Sequence, residues 1–339
     1  MADPRTGARE KLRRRVRARS LSVLTGASAL VPARLVQAAL VGLSPLGAFT
    51  RFERTTRANL ELALGSTAGP VERARIARGV RRHSARIFAE WVRLARGADP
   101  DSGSGGWIED LVEVDPSIAV LERELARGRG ALIVTAHLGN WELLAARVRR
   151  AGHRGAVVGF RRTNDSTARW FEDMRRGYGV ETIPQSAHPR SILRALDAGR
   201  VVGLLCDLEV RRLDGIFLPF FDRAALTMTA PAALARAARV PLLPAHCTLD
   251  ARSGRYRLAF DAPLAPDEEL ERRARTIDLL ARMNSVFERW IRAAPEQWAW
   301  HQPRWRTRPG EDPCRLVGAR RSWARRPSLQ SADQGLSVD

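Results

Sequence analysis

Lysine is almost missing from this 339-residue chain: Lys11 is the only one, and arginine carries nearly all of a formal net charge of +20. The three cysteines, Cys206, Cys247 and Cys314, stand far apart and form no Cys-x-x-Cys pair and no zinc-ligand spacing. That excludes a disulfide framework and fits a reducing, cytosolic setting. No His-Glu-x-x-His stretch or His/Cys/Asp cluster supports a metal, so neither metal nor cofactor is expected. The absence of a Gly-x-Ser-x-Gly elbow removes the usual serine acyl-enzyme. No small-residue cleavage site follows a clean apolar core, so no secretory signal is read. Nor is there an uninterrupted apolar run of the roughly 20 residues that a transmembrane helix needs.

A hydrophobic fraction of 45% supplies a sizeable core. The length allows one large domain or two small ones. The lack of a central linker or internal repeat favours one, with terminal extensions. A strongly basic surface favours an anionic partner, whether phospholipid head groups, nucleic acid or an acidic carrier protein. The arginines are dispersed and no nucleic-acid module is visible, so no nucleic-acid partner is expected and a membrane surface is the better reading.

Four regions follow. Residues 1–20 form a basic N-terminal arm, with eight basic residues against Asp3 and Glu10. Residues 21–50 are mostly apolar but broken by Pro32, Arg34 and Pro45. They read as a membrane-associated segment, interfacial or re-entrant, or alternatively as a buried helix of the globular domain. Residues 51–309 form the main domain, and the arginine-, serine-, glycine- and proline-rich residues 310–339 a disordered basic tail.

Within the main domain, residues 51–97 and 118–125 carry helical periodicity. Strand patterns at 131–134, 156–160, 180–184, 201–206, 216–221, 242–248 and 256–260 alternate with helical ones at 165–178, 189–198, 230–238 and 268–293. The pattern predicts an α/β fold with a mostly parallel central sheet flanked by helices.

One segment concentrates chemistry. The apolar run from Ala131 to Val134 breaks at Thr135-Ala136-His137, passes Gly139-Asn140, and resumes with helical spacing at Trp141-Glu142-Leu143-Leu144. A histidine at the carboxyl end of a strand, with a glutamate in the first turn of the next helix, suits a base held by a carboxylate. A carboxylate accepting from one imidazole nitrogen leaves the other free to take a proton. Backbone N–H groups from Leu138 to Asn140 are candidate oxyanion donors.

The stretch His137-Leu138-Gly139-Asn140-Trp141-Glu142 resembles the His-x4-acid motif of the lysophospholipid acyltransferase superfamily. Its glutamate matches the form found in bacterial lipid A late acyltransferases, whereas the related phosphatidylinositol mannoside acyltransferases usually end the motif in aspartate. Further segments extend the resemblance in order. Phe160-Arg161-Arg162-Thr163-Asn164 is similar to the family's aromatic-Arg-Pro-x-Asn stretch, with Arg162 in place of proline. Leu204-Leu205-Cys206-Asp207 and Gly215 to Phe221 follow, with Asp222 where glycine is common. Pro295-Glu296-Gln297-Trp298-Ala299-Trp300-His301 with Arg304-Trp305 is similar to the family's C-terminal signature.

The resemblance implies acyl transfer in one direct step, from an acyl-acyl carrier protein or acyl-CoA thioester to a hydroxyl of a glycolipid such as a lipid A precursor. It implies a place at the cytoplasmic face of the bacterial inner membrane. His137 would be the base and Glu142 its orienting partner. Arg161 and Arg175 are candidates for gripping an anionic substrate, or are solvated surface arginines. Asp207 either orients an arginine or the His137–Glu142 pair, or caps a strand end. Phe217, Phe220 and Phe221 line an acyl tunnel or belong to the core. Trp298, Trp300 and Trp305 sit at a membrane interface or pack on the sheet. The alternatives are acylation of phosphatidylinositol mannoside or another lipid, hydrolysis of a thioester, and a non-catalytic basic membrane-binding protein.

Overall fold

The five residues Ala131–Thr135 are buried without exception, a pattern that a strand shows only where both faces of its sheet are covered. The computed structural model describes residues 31–97, 105–159, 166–210 and 214–310. It opens with helices α1 (Ala33–Leu43), α2 (Arg51–Leu64), α3 (Pro70–Leu94) and α4 (Trp107–Leu111). Strand β1 (Val112–Val114), helix α5 (Ala119–Leu125), strand β2 (Ala131–Thr135), helix α6 (Trp141–Arg150) and strand β3 (Gly155–Gly159) come next. Helix α7 (Ser166–Gly177), strand β4 (Glu181–Pro184), helix α8 (Arg190–Asp197) and strand β5 (Val201–Leu205) continue the alternation. A hairpin, β6 (Gly215–Phe220) and β7 (Arg223–Met228), leads to helix α9 (Ala230–Ala238), strands β8 (Leu242–Leu249) and β9 (Tyr256–Phe260), and the long helix α10 (Arg272–Ala293).

Seven strands form one sheet in the order β1-β9-β8-β2-β5-β3-β4, with β2 at its centre. Every pairing is parallel except β8 with β9. Because successive side chains point to opposite faces, β2 feeds two cores. Leu132 and Val134 pack on one face with residues of α2, α3, α9 and α10. Ala131 and Ile133 pack on the other with α6, Tyr178 and Tyr256. The α/β architecture and mostly parallel sheet agree with the sequence pattern. The pattern missed β1 and β7, because three residues are too few to show alternation and Arg223-Ala224-Ala225 has little strand character. The expected helix from 268 begins at Arg272.

Helix α3 turns a stripe formed by Ile76, Val80, His83, Ile87, Glu90 and Leu94 into the protein, at the i, i+3/i+4 spacing of a buried helical face. Two of its members are polar. Gly79 on this helix lets the turn at Pro295–Gln297 come close, since a Cβ there would lie 2.6 Å from Glu296 Cβ. Phe221 and Asp222 link β6 to β7 with φ of 52° and 55°, the two-residue turn that matches strand twist and favours glycine or asparagine. That geometry explains why glycine is usual where Asp222 stands.

Helix α1 buries none of its residues, and Leu35 and Leu46 are 55% and 71% exposed. Among the described residues no single helix is long and apolar enough to cross a membrane. Ala33–Ala48 and Arg51–Leu64 satisfy length and composition only as a pair bent by 74°. The basic arm at 1–20 and the expected tail beyond 310 lie outside the described residues.

Gly139 makes a sharp prediction. Its φ is +61°, and a Cβ would collide with the Cys247 carbonyl oxygen. Gly139→Ala should therefore lower stability by at least about 2 kcal/mol from left-handed strain and backbone overlap, read as a lower unfolding midpoint. An unchanged midpoint would show that the turn can relax.

Candidate active site

Strands β2 and β5 run parallel in a register that pairs Thr135 with Leu205, and the Cys206 N–H still donates to the Thr135 carbonyl at 3.0 Å. Two residues past each strand end stand His137 and Asp207. Adjacent strands lie about 4.8 Å apart, so level ends bring the two side chains together. His137 Nδ1 lies 2.8 Å from Asp207 Oδ1, and the His137 backbone N–H donates to Oδ2 at 2.8 Å. Trp298 Nε1–H donates to the same Oδ2 at 2.7 Å. Asp207 is fully buried. Burial works to raise its pKa, but His137 and the donated hydrogen bonds outweigh it and hold the carboxyl below its ordinary value. Facing a carboxylate, Nδ1 carries the proton, which leaves Nε2 with its lone pair free. The His137 side chain is 22% exposed. The Trp141 ring meets the imidazole edge-on at 4.9 Å.

The carboxylate partner of His137 is thus Asp207, not Glu142. Glu142 turns inward from the first turn of α6 and is buried. Arg175 donates to both of its oxygens, Nε to Oε2 at 2.9 Å and Nη2 to Oε1 at 2.5 Å. Tyr178 O–H adds a bond to Oε2 at 2.6 Å. Burial works to lower the Arg175 pKa, but the Glu142 charge and hydrogen bonds overcome it and raise the value. Arg175 is therefore neither a solvated surface arginine nor a free phosphate clamp, because Glu142 already occupies its planar fork. Arg161 lies outside the described residues.

Two of the three expected oxyanion donors are engaged. The Gly139 N–H donates to the Gln297 carbonyl at 3.1 Å and the Asn140 N–H to the Cys247 carbonyl at 2.8 Å. Asn140 Oδ1 caps α6 by accepting from the N–H groups of Glu142 and Leu143.

Between α6 and strands β2, β3 and β5 lies a narrow cavity of about 50 Å³, which neither His137 nor Asp207 lines. Thr135, Trp141, Glu142 and Arg175 line it near the carboxyl ends of the strands, and His153, Gly155 and Val201 near the amino ends. Between them the walls are largely apolar, including Ile133, Leu144, Val148 and Val157. Gly203 keeps the floor open: a Cβ there would meet only Val157 Cγ1 at 3.5 Å and the Ala156 carbonyl oxygen at 4.0 Å.

The C-terminal aromatic segment serves the interior. Trp298 and Trp300 are buried, and partly buried Trp305 packs on the same core, so an interfacial role for Trp298 or Trp300 is set aside. Phe220 and Phe221 are core residues and do not line the cavity. His301 stacks on Phe52 at 4.3 Å, and burial, with His137 as a lesser cause, pushes its pKa down to about 4. Among the described residues no group of three or more His, Cys, Asp or Glu side chains could hold a metal ion. Trp298 as a donor to the site carboxylate was not read from the sequence, where a tryptophan in an aromatic cluster signals packing.

Comparison with known proteins places this geometry. Residues 19–307 match the model of a family described as bacterial lipid A biosynthesis acyltransferase. The chain is 28% identical over 194 residues to a phosphatidylinositol mannoside acyltransferase of Mycobacterium tuberculosis, covering 55% of this chain and 57% of that one. It is 29% identical over 194 residues to the lipid A biosynthesis lauroyltransferase of Escherichia coli, covering 56% and 60%. A palmitoleoyltransferase of lipid A biosynthesis from the same organism is 26% identical over 219 residues, covering 62% and 65%. The matched stretch thus spans less than two thirds of each of these three relatives.

Asp207→Asn tests the tautomer. An amide facing Nδ1 can donate to it and move the ring proton to Nε2. Nitrogen NMR of the His137 ring should show the proton on Nδ1 in the wild type and on Nε2 in the variant. The same tautomer in both would mean that Asp207 does not orient the ring.

Proposed function

Because this chain belongs to the bacterial lipid A biosynthesis acyltransferase family, we propose that it moves a fatty acyl chain from an acyl-carrier thioester to a hydroxyl of a glycolipid, a lipid A precursor being the preferred acceptor. The observation that carries the reading is the His137–Asp207 pair at the level carboxyl ends of β2 and β5. The proposed chemistry is direct. His137 Nε2 removes the proton of the acceptor hydroxyl as its oxygen attacks the thioester carbonyl, and Asp207 stabilises the imidazolium that forms. The tetrahedral intermediate then collapses, the carbon–sulfur bond breaks, and the imidazolium returns its proton to the departing thiolate. An ester and a free carrier thiol result.

The acceptor class rests on the motif. Glu142 ends it in the form of the lipid A enzymes rather than with aspartate. The similarity to the mycobacterial relative, at 28% against 29% for the lauroyltransferase, favours phosphatidylinositol mannoside as the second reading. The donor is acyl-acyl carrier protein or acyl-CoA. An acidic carrier would be attracted to a chain of charge +20.

We further propose that the enzyme works at the cytoplasmic face of the bacterial inner membrane, docked through residues 1–49. The exposed Leu35, Leu43 and Leu46 supply apolar contact with the bilayer, and the net six positive charges of residues 1–20 attract anionic head groups at about 1 kcal/mol each.

Two measurements test these readings. Purified protein given an acyl-carrier thioester should acylate a lipid A precursor, detected by mass spectrometry, and folded His137→Ala protein should be slower by roughly 100- to 10,000-fold. Near-normal transfer by that variant would remove the base assignment, and transfer only to phosphatidylinositol mannoside would select the second acceptor. In vesicle flotation, removing residues 1–20 should weaken binding and its dependence on anionic lipid, and removing 1–49 should release most of the protein. Undiminished flotation without 1–49 would place the anchor elsewhere.

A further inference from the structure

The turn that carries His137 is held from below by α3. His83 Nε2 lies 3.3 Å from the Gly139 carbonyl, and burial pushes the His83 pKa down to about 4, so the neutral ring donates through Nε2–H. One turn or two further along α3, Glu90 Oε2 accepts from Asn140 Nδ2 at 2.7 Å and from Tyr256 O–H at 2.8 Å. Trp91 Nε1–H reaches Asn140 Oδ1 at 3.3 Å. Glu90 is 3% exposed and Asn140 fully buried. The other Glu90 oxygen has no hydrogen-bond partner, with Arg86 Nε 3.7 Å away. Burial pushes the Glu90 pKa up to about 7, against the pull of Asn140, Tyr256, Arg86 and Arg93.

A buried carboxylate with one unpaired oxygen is a costly way to fill space. Its Oε2 accepts from Asn140 and Tyr256, a role that a carboxyl group fills whether ionised or protonated on its other oxygen. Asn140 presents its N–H₂ to Glu90 and its oxygen to α6 and Trp91, where that oxygen accepts from the Glu142 and Leu143 N–H groups and from Trp91 Nε1–H. The carboxylate also polarises the Asn140 amide and strengthens its oxygen as an acceptor. The start of α6 in turn sets Trp141, edge-on to the His137 ring, and Glu142.

We propose that Glu90 is a positioning residue for the reaction at His137, acting by anchoring the Asn140 side chain that joins the histidine turn to α6. The proposal deepens the acyl-transfer reading and rests on it for its kinetic effect. The groups that face Glu90 are Asn140, Tyr256, Arg86, Arg93 and Cys247, none of which replaces the Asn140 link.

The decisive variant is Asn140→Asp. Aspartate caps a helix as well as asparagine but offers Glu90 no N–H and sets two carboxylates face to face. In folded protein, kcat should fall tenfold or more, on the scale of about a hundredfold for an ångström of misplacement. KM for the thioester donor should change little. The nitrogen signals of the His137 ring, assigned by their loss in His137→Ala, should move. Adding Glu90→Gln restores one donor and one acceptor in reversed order, and the double variant should recover most of kcat and return the ring signals. Wild-type kcat with unmoved signals in Asn140→Asp would overturn the proposal, as would a double variant that folds yet recovers neither. If Asn140→Asp folds poorly, Glu90→Leu alone decides: loss of the acceptor predicts shifted His137 ring signals and a lower kcat, and unmoved signals with wild-type kcat refute the proposal. Ring signals that behave as expected in a protein that transfers no acyl group would sink the acyl-transfer reading and leave the brace intact.

Discussion

The level ends of β2 and β5 are the constraint on which the site depends. With Thr135 paired to Leu205, the residues two positions on stand side by side, and a histidine there meets an aspartate from a strand 70 residues later. A register shift of one residue would reverse every side chain on one strand and separate them. The register is in turn held by burial on both faces of β2, since either slip would exchange the two cores that Leu132 and Ile133 serve.

Around that pair the protein spends buried charge unusually freely. Glu142 is neutralised by Arg175 and Tyr178, Glu53 by Arg57 and Arg81, and Asp207 by His137 and Trp298. Such pairs add less stability than apolar packing of the same volume, because both charges lose water. They do impose unique geometry. Arg175 ties α7 to α6, and Glu90 ties α3 and β9 to the histidine turn. These helices are thereby anchored at residues three and five positions after His137. The Glu90 oxygen that lacks a hydrogen bond and has only Arg86 Nε at 3.7 Å marks where this network gives up stability for orientation.

Much of the fold was legible in the residues. Continuous apolar runs marked β2, β5 and the start of β8, which are buried on both faces, while Tyr256, Leu258 and Phe260 of β9 alternate with more exposed residues. Strand β1 left no such signal, being three residues long, and β7 begins with Arg223, Ala224 and Ala225, which carry little strand preference. His137 was legible from its position between a buried strand and a capped helix start. Its partner was not. Glu142 lay five residues away and Asp207 seventy, and local spacing favoured the nearer carboxylate. Likewise Trp298 looked like packing, since nothing local marks an indole N–H as a donor to a carboxylate ninety-one residues earlier.

By itself, then, the sequence determined the alternation of strand and helix, the parallel sheet, the histidine at a strand end and the asparagine and glycine of its turn. These are decided by neighbours in the chain through hydrophobic periodicity, capping and backbone freedom, as at Gly139 with its φ of +61°. Tertiary structure alone decided which carboxylate the histidine faces, that Arg175 belongs to Glu142, that the N–H groups of Gly139 and Asn140 are taken by Gln297 and Cys247, and that Glu90 reaches Asn140. Those contacts join residues 33 to 158 positions apart. They follow from strand order and from the path of α3 under the sheet edge, and strand order is set by the packing of the whole domain, which no local window of residues contains.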